Sequence, residues 1–287
     1  MTKWTGDLQP PPFWLNPARE VTAAMEPPKL GRGAFVVRCL TALLAEDCSL
    51  DQAMGVAGNT MNETGFGKYY RGNNLGGVKI WKFSATNADG SPRAWWRALG
   101  NKSSGDPQTC VYRAYASFEA FFHEWLRVFT PKVDPTGKPN GRYWKTGQQF
   151  WAGEPWFDDL IAAGYKGEVT RQNPEPSIHA HDAIIKILVV IWGQHLLGVD
   201  PDGAWGPKSH AACVAYQTAH GLTPTGDLDG PTLRVLFHGT TNDRTIALMA
   251  PPEHGSGRRA VAPSTPDQDP TPEATPDEPS DPPPHED

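Results

Sequence analysis

The sequence predicts a mainly α protein of the α+β kind: a helical domain with a small β-lobe, followed by a compact three-helix unit. Three observations carry that expectation. Apolar residues suit helices over 34–46 and recur at helical spacing over 53–61. Two short stretches, 78–83 and 109–115, read as strands. Past Asn173-Pro-Glu-Pro the chain reads as three more helices, separated by loops at Asp202-Gly203 and Thr225-Gly226.

The elements follow in order. Residues 1–30 form a leader with proline clusters at 10–12 and 27–28, and Asn16-Pro17 suits the start of a short helix between them. The first main helix covers 34–46. Ser49-Leu-Asp-Gln52 then fits a capping box, which starts a second helix running to about Asn62 and stopped by Gly65 and Gly67. A turn at 73–77 leads into the first strand. A long insertion containing Trp95 and Trp96 separates it from the second. Ser117 caps a helix to about Phe129, a Gly/Pro-rich loop follows, and a helix from Trp156 to Ala163 ends at Gly164. The last three helices span about 178–197, 207–219 and 230–237.

Composition narrows the class. The 287 residues suffice for two modest domains with tails. Mean hydropathy is -0.50, and the longest apolar stretch, near 184–191, is broken by Lys186, so no membrane span is expected. The net charge is -6, but nine acidic and two basic residues lie from Pro251 onward, leaving the rest near +1. No basic face for nucleic acid is expected. The Pro/acidic segment 251–287 has too few large apolar residues to build a core. Cys39, Cys48, Cys110 and Cys213 form no C-x-x-C pair and read as buried thiols, and no metal or other cofactor is implied. The first residues lack an apolar stretch and a cleavage site, so no secretory signal peptide is expected.

Glu63 is the leading candidate for chemistry. It falls at the C-terminal end of a helix, where the negative end of the macrodipole favours a protonated carboxyl. Met61 and Phe66 are expected to desolvate it, in the same direction. A carboxyl that keeps its proton near neutral pH is what the general acid of glycosidic cleavage requires.

The words around Glu63 resemble the glucosaminidase family of bacterial autolysins and flagellar wall hydrolases. They are Glu63-Thr-Gly-Phe-Gly67, Asn73-Asn-Leu-Gly-Gly-Val-Lys79, Tyr112-Arg-Ala-Tyr115 with Ser117-Phe118, and Gly164-Tyr165, in the family's order. The resemblance covers roughly 31–187. It implies a lysozyme-like catalytic domain and cleavage of β-1,4 bonds after N-acetylglucosamine. It also implies Glu63 as the acid, Tyr115 near the scissile sugar and Asn74 shaping the cleft.

One family feature is missing. A second Glu on the β-lobe has no counterpart, and Asp89 and Asp106 are the nearest acids. Asp106 could orient a water or stabilise the oxocarbenium ion. Otherwise the substrate's acetamido oxygen, or the muramyl 6-hydroxyl, would attack. Aromatics are dense, and Tyr69 and Trp81 are among those expected to meet sugar faces, the rest being core.

Residues 194–236 resemble the peptidoglycan-binding domain of wall hydrolases. The words include Asp202-Gly203-Ala-Trp205-Gly206, Ala215-Tyr216-Gln217, His220-Gly221-Leu222 and Thr225-Gly226. Trp205 and Tyr216 are its candidate wall contacts, and Gln217 is expected to hold a loop backbone. The domains are therefore expected at 31–177 and 178–240. The expected substrate is the peptidoglycan glycan strand, cleaved by an endo-β-N-acetylglucosaminidase. The alternatives are a lytic transglycosylase or muramidase on the same fold, or a non-catalytic wall-binding protein. Made in the cytoplasm, the chain would reach the wall by phage-type release or injection-type delivery, with the leader or the tail as the place for a carrier.

Overall fold

The structure is a computed structural model. It describes residues 17–22, 25–26, 28–78, 93–101, 107–129, 132–133, 139–140, 143–163, 165, 172–238 and 243–249. Contacts gather Met1–Ala250 into one compact unit; Pro251–Asp287 falls into a second and lies outside the described residues.

The protein is mainly α. Helices α1 (Arg32–Leu44) and α2 (Leu50–Thr64) form the first layer. The Ser49–Gln52 capping box is present in both directions: the Gln52 N–H donates to Ser49 Oγ at 3.3 Å, and the Ser49 N–H to Gln52 Oε1 at 2.7 Å. Gly65 ends α2 in the left-handed region at φ 54°, where a glycine carries no Cβ penalty. Next come strands β1 (Trp95–Asn101) and β2 (Pro107–Arg113), then α3 (Phe118–Leu126), capped by Ser117 and tightened into a 3-10 turn at Arg127–Phe129. A minimal ribbon, β3 (Lys132–Val133) with β4 (Pro139–Asn140), precedes α4 (Trp144–Ala152) and α5 (Phe157–Ala162). Then follow α6 (Glu175–Leu196), α7 (Pro207–Ala219), α8 (Gly230–Leu236) and α9 (Asp243–Met249).

Two expectations need correction, and a third falls almost wholly outside the described residues. The partner of β2 is β1, antiparallel, in a register that sets Trp95 opposite Arg113 and Asn101 opposite Pro107. The segment read as an insertion therefore supplies a strand. Trp95 is buried, and Trp96 stacks on its cross-strand partner Tyr112 at 4.5 Å. Of the strand expected at 78–83, Val78 is described and lies outside any strand, and the remainder falls outside the described residues. Finally, α4 occupies part of what reads as a loop. Gly147 sits at its centre because an added Cβ would stand 2.2 Å from the Phe129 carbonyl oxygen. The leader lies on the domain where it is described, the Val21 N–H donating to the Trp95 carbonyl at 2.7 Å.

One continuous core includes Phe35, Leu40, Met61 and Phe122 at one end and Leu188, Leu233 and Phe237 at the other. Helix α6 joins them. It packs on α1 and α2, and Gly55 and Gly58 of α2 make room for Trp156 and His181. His181 is buried, stacked on Phe157 at 3.7 Å, with Nε2 2.9 Å from the Gly55 carbonyl. At Gly33 of α1 an added Cβ would collide with the Pro201 backbone. All four cysteines are buried and none is in a disulfide.

The C-terminal helices contain a repeat. Gln194, 1% exposed, donates from Nε2 to Asp202 Oδ1, the Ala204 carbonyl and Ser209 Oγ, and its Oε1 accepts the Gly203 N–H. Gln217, 0% exposed, donates to Thr225 Oγ1, the Asp227 carbonyl and Thr232 Oγ1, and accepts the Gly226 N–H. Each glutamine ends a helix and clamps the following loop to the start of the next helix. In both cases the same offset separates the glutamine from the glycine and from the hydroxyl.

Candidate active site

Helix α2 presents the site. Thr60, Met61 and Thr64 turn into the core, and the helical period then turns Asn62 and Glu63 outward. Glu63 occupies the last turn of α2, as expected, but its side chain is exposed. Met61 is fully buried and points away from it, and Phe66 lies beneath the Arg32 guanidinium, 4.4 Å from the ring centre. The expected desolvation of Glu63 by these two residues is therefore not found.

One turn earlier on α2, Asn59 is 1% exposed. Its Nδ2 donates to the Tyr165 hydroxyl oxygen at 3.4 Å, and Trp125 Nε1 of α3 donates to the same oxygen at 3.3 Å. Two donors on that oxygen leave the phenolic hydrogen for an acceptor. Burial, and then the charge of Glu63, push the Tyr165 hydroxyl up to about 12, so it stays protonated across the working range of an enzyme. The rings of Trp125 and Tyr143 stand edge-on or tilted to Tyr165 at 6.3 and 6.2 Å. Asn59 Oδ1 is buried with no hydrogen-bond partner among the described residues. The link between this buried cluster and Glu63 is electrostatic: the charge of Glu63 reaches the Tyr165 hydroxyl. Asn59 stands one turn before Glu63 in the sequence, a spacing that would have found it; Trp125 comes from a distant helix and has no such signal.

The candidates after α2 have defined roles. Tyr69 is 74% exposed, and its ring covers Gly65, two residues beyond Glu63. Asn74 is 3% exposed. Its Nδ2 donates to the Val78 and Arg113 carbonyls at 2.7 and 3.0 Å, and its Oδ1 accepts the Val78 N–H at 2.8 Å. Its amide is taken up by main chain, and through it Asn74 shapes the loop. Asn73 Nδ2 donates to the Tyr115 carbonyl at 3.0 Å, and the Tyr115 N–H to the Gly72 carbonyl at 2.7 Å.

Tyr115 lies edge-on to Phe121 at 5.3 Å, and Arg113 Nη1 lies 3.5 Å from its hydroxyl. Burial raises its pKa, and the guanidinium of Arg113 pulls it back. Arg113 and Arg93 both pair with Glu124. These groups line a hollow of about 790 Å³, with the leader and the outer face of α3 as its other walls; Glu63 is not among its lining residues. Tyr115 and Glu63 therefore do not share this hollow. Trp81, Asp89 and Asp106 fall outside the described residues. Among the described residues no cluster of three His, Cys, Asp or Glu side chains could hold a metal, and no helix is long and apolar enough to cross a membrane.

In the C-terminal repeat, Trp205 is partly buried and its Nε1 donates to the Gly226 carbonyl at 3.0 Å, tying one loop of the repeat to the other. Tyr216 stacks on His220 at 4.0 Å, and burial raises its pKa. Both have a structural task, and each keeps part of its surface in solvent.

None of the curated proteins compared with the chain matches it. Among solved structures, the "peptidoglycan hydrolase mutant from Sphingomonas sp. A1" matches at 20% identity and a TM-score of 0.28, covering 49% of this chain and 96% of that one; so slight a likeness carries no argument. The C-terminal match is defined by sequence: residues 192–236, which contain both clamping glutamines, match the family described as "Putative peptidoglycan binding domain", and this module is similar to that domain.

Proposed function

We propose that the chain hydrolyses the glycan strand of peptidoglycan as an endo-β-N-acetylglucosaminidase, with Glu63 as general acid. The observation that carries this reading is the placement of Glu63. It lies in the last turn of α2, where its charge reaches the buried Tyr165 hydroxyl, in one compact unit with a segment similar to a peptidoglycan-binding domain. In this reading, bound glycan covers the exposed carboxyl and removes it from water, which favours the proton. Glu63 then protonates the glycosidic oxygen as the C1–O bond breaks. The acetamido oxygen of the same sugar attacks C1, or Asp106 directs a water there, and water finally occupies C1. Tyr69 offers an exposed ring to a sugar face. Digestion of purified sacculi followed by mass spectrometry of the products tests the proposal, because new N-acetylglucosamine reducing ends identify the bond. Muramic reducing ends indicate a muramidase and anhydro-muramic ends a lytic transglycosylase.

The exposure of Glu63 favours a second reading, a wall-binding protein without turnover. Binding to sacculi with no new reducing ends would establish it.

A further inference from the structure

Immediately after Glu63 the backbone turns through three successive left-handed residues, Gly65 at φ 54°, Phe66 at 56° and Gly67 at 87°. Glycine adopts this region freely, and a bulky aromatic does not. Phe66 is thus held at a conformational cost. Its ring lies under the Arg32 guanidinium, and the turn forms part of a hollow of about 460 Å³. The other walls are Lys29, Leu30, Arg32 and Lys68, so three cations and no acid line it. Lys29 is engaged with Glu26 at 3.4 Å and with the Tyr70 carbonyl. Arg32 and Lys68 are exposed and have no carboxylate partner among the described residues. In a folded part whose charge sums to about +1, this is a local concentration of one sign. The lining of the hollow includes Gly65, two residues from Glu63, a span of about 7 Å of chain at most.

We infer that this hollow is a subsite for the carboxylates of the peptide stem attached to the muramyl sugar. The inference rests on the proposed function and names the part of the substrate that it omits. Sugar rings are uncharged, and aromatic faces suffice for them. Peptidoglycan stems carry free carboxylates, and a cationic hollow beside the cleavage point suits one of these. The Phe66 ring holds the Arg32 guanidinium in place from below by cation–π attraction, leaving its edge N–H groups for a carboxylate. The enzyme would then favour strands that keep their stems over strands stripped of them, through binding and not through the chemical step.

The test uses the full chain carrying Glu63→Gln, so that ligand persists during titration. Calorimetry measures its affinity for a disaccharide bearing a tetrapeptide stem and for the same disaccharide without peptide. The parent chain is expected to bind the stem-bearing fragment more tightly. Adding Arg32→Gln or Lys68→Gln is expected to weaken that fragment about two- to fivefold for each charge removed, the reach of an exposed ion pair. The stripped fragment should be unaffected, and added salt should shrink the difference. Arg32→Lys should retain most of the preference. Equal affinity for both fragments overturns the subsite, as does equal weakening of both by the charge variants. A wild-type chain that leaves sacculi uncut while the binding contrast persists overturns the hydrolase reading and leaves the subsite standing.

Discussion

Gln217→Leu should destabilise the protein far more than a surface substitution. The side chain is 0% exposed. Its loss strips the Gly226 N–H of its acceptor at 2.8 Å and leaves the Asp227 carbonyl, which loses a donor at 3.0 Å, with only the weak Cys213 thiol donor at 3.4 Å. Thr225 and Thr232 each lose a partner as well. A buried polar group left unsatisfied costs about 1–3 kcal/mol. One orphaned backbone N–H sets the expected loss at about 1–3 kcal/mol, with the weakened Asp227 carbonyl adding to it, a large part of the roughly 5–15 kcal/mol that holds a native protein. Urea unfolding of the full chain, followed by tryptophan fluorescence, measures the difference. Gln217→Glu separates the two halves of the clamp, since it keeps the acceptor for Gly226 and, as a neutral carboxyl, offers one O–H donor where the amide has two N–H groups. It should lie between wild type and Gln217→Leu, provided the buried carboxyl takes up a proton. Gln194→Leu should behave like Gln217→Leu, because the repeat gives it the same tasks. A loss below about 1 kcal/mol in Gln217→Leu would refute the clamp.

Further outcomes follow from the same geometry. Asn74→Ala should cost about 1–3 kcal/mol, chiefly from the orphaned Val78 N–H, because the Arg113 carbonyl keeps Trp96 Nε1 as a donor; thermal unfolding checks it. Stability should fall in alkali. Tyr165, Tyr112 and Cys48 are pushed up to about 12 and Cys213 to about 11, so folding favours their protonated forms. That contribution is complete below about pH 9, where the unfolded thiols begin to ionise, and is lost as the pH climbs towards 12; a plateau in unfolding midpoint across pH 9–12 would contradict it. Gly33→Ala should loosen the seam between α1 and the loop at Pro201, because the new Cβ meets main chain that has no rotamer to yield. Urea unfolding should show its midpoint lowered with the far-UV spectrum retained. Deleting 251–287 should leave both the unfolding midpoint and the rate on sacculi unchanged, since that composition contributes no core.

Much of the fold was legible because local signals agreed with packing. The Ser49–Gln52 box, the Ser117 cap and the Pro207 helix start are short-range devices, and each appears where the residues place it. What was not legible depends on distant partners. Gly147 reads as a helix breaker until the Phe129 carbonyl that requires it is in place. Trp95 and Trp96 read as insertion because a strand is defined by its neighbour, and β2 comes later in the chain. At the candidate site, the position of Glu63 at a helix end followed from its sequence. Its exposure did not, because the expectation weighed chain neighbours and not the helical period that turns Met61 inward. The word around Asn74 implies that it shapes the cleft, and only the loop geometry shows how, through an amide bonded to main chain on both sides.

The most direct test of the account compares wild type with Glu63→Gln on purified sacculi, read by mass spectrometry of the released fragments. Glutamine keeps the shape of the side chain and cannot supply the proton, and acid–base catalysis is worth about 10²–10⁴-fold. Wild type should release fragments ending in reducing N-acetylglucosamine, and Glu63→Gln should release them at least about a hundredfold more slowly with an unchanged unfolding midpoint. Near-equal release by the two chains, or fragments with no new N-acetylglucosamine ends from wild type, would contradict it.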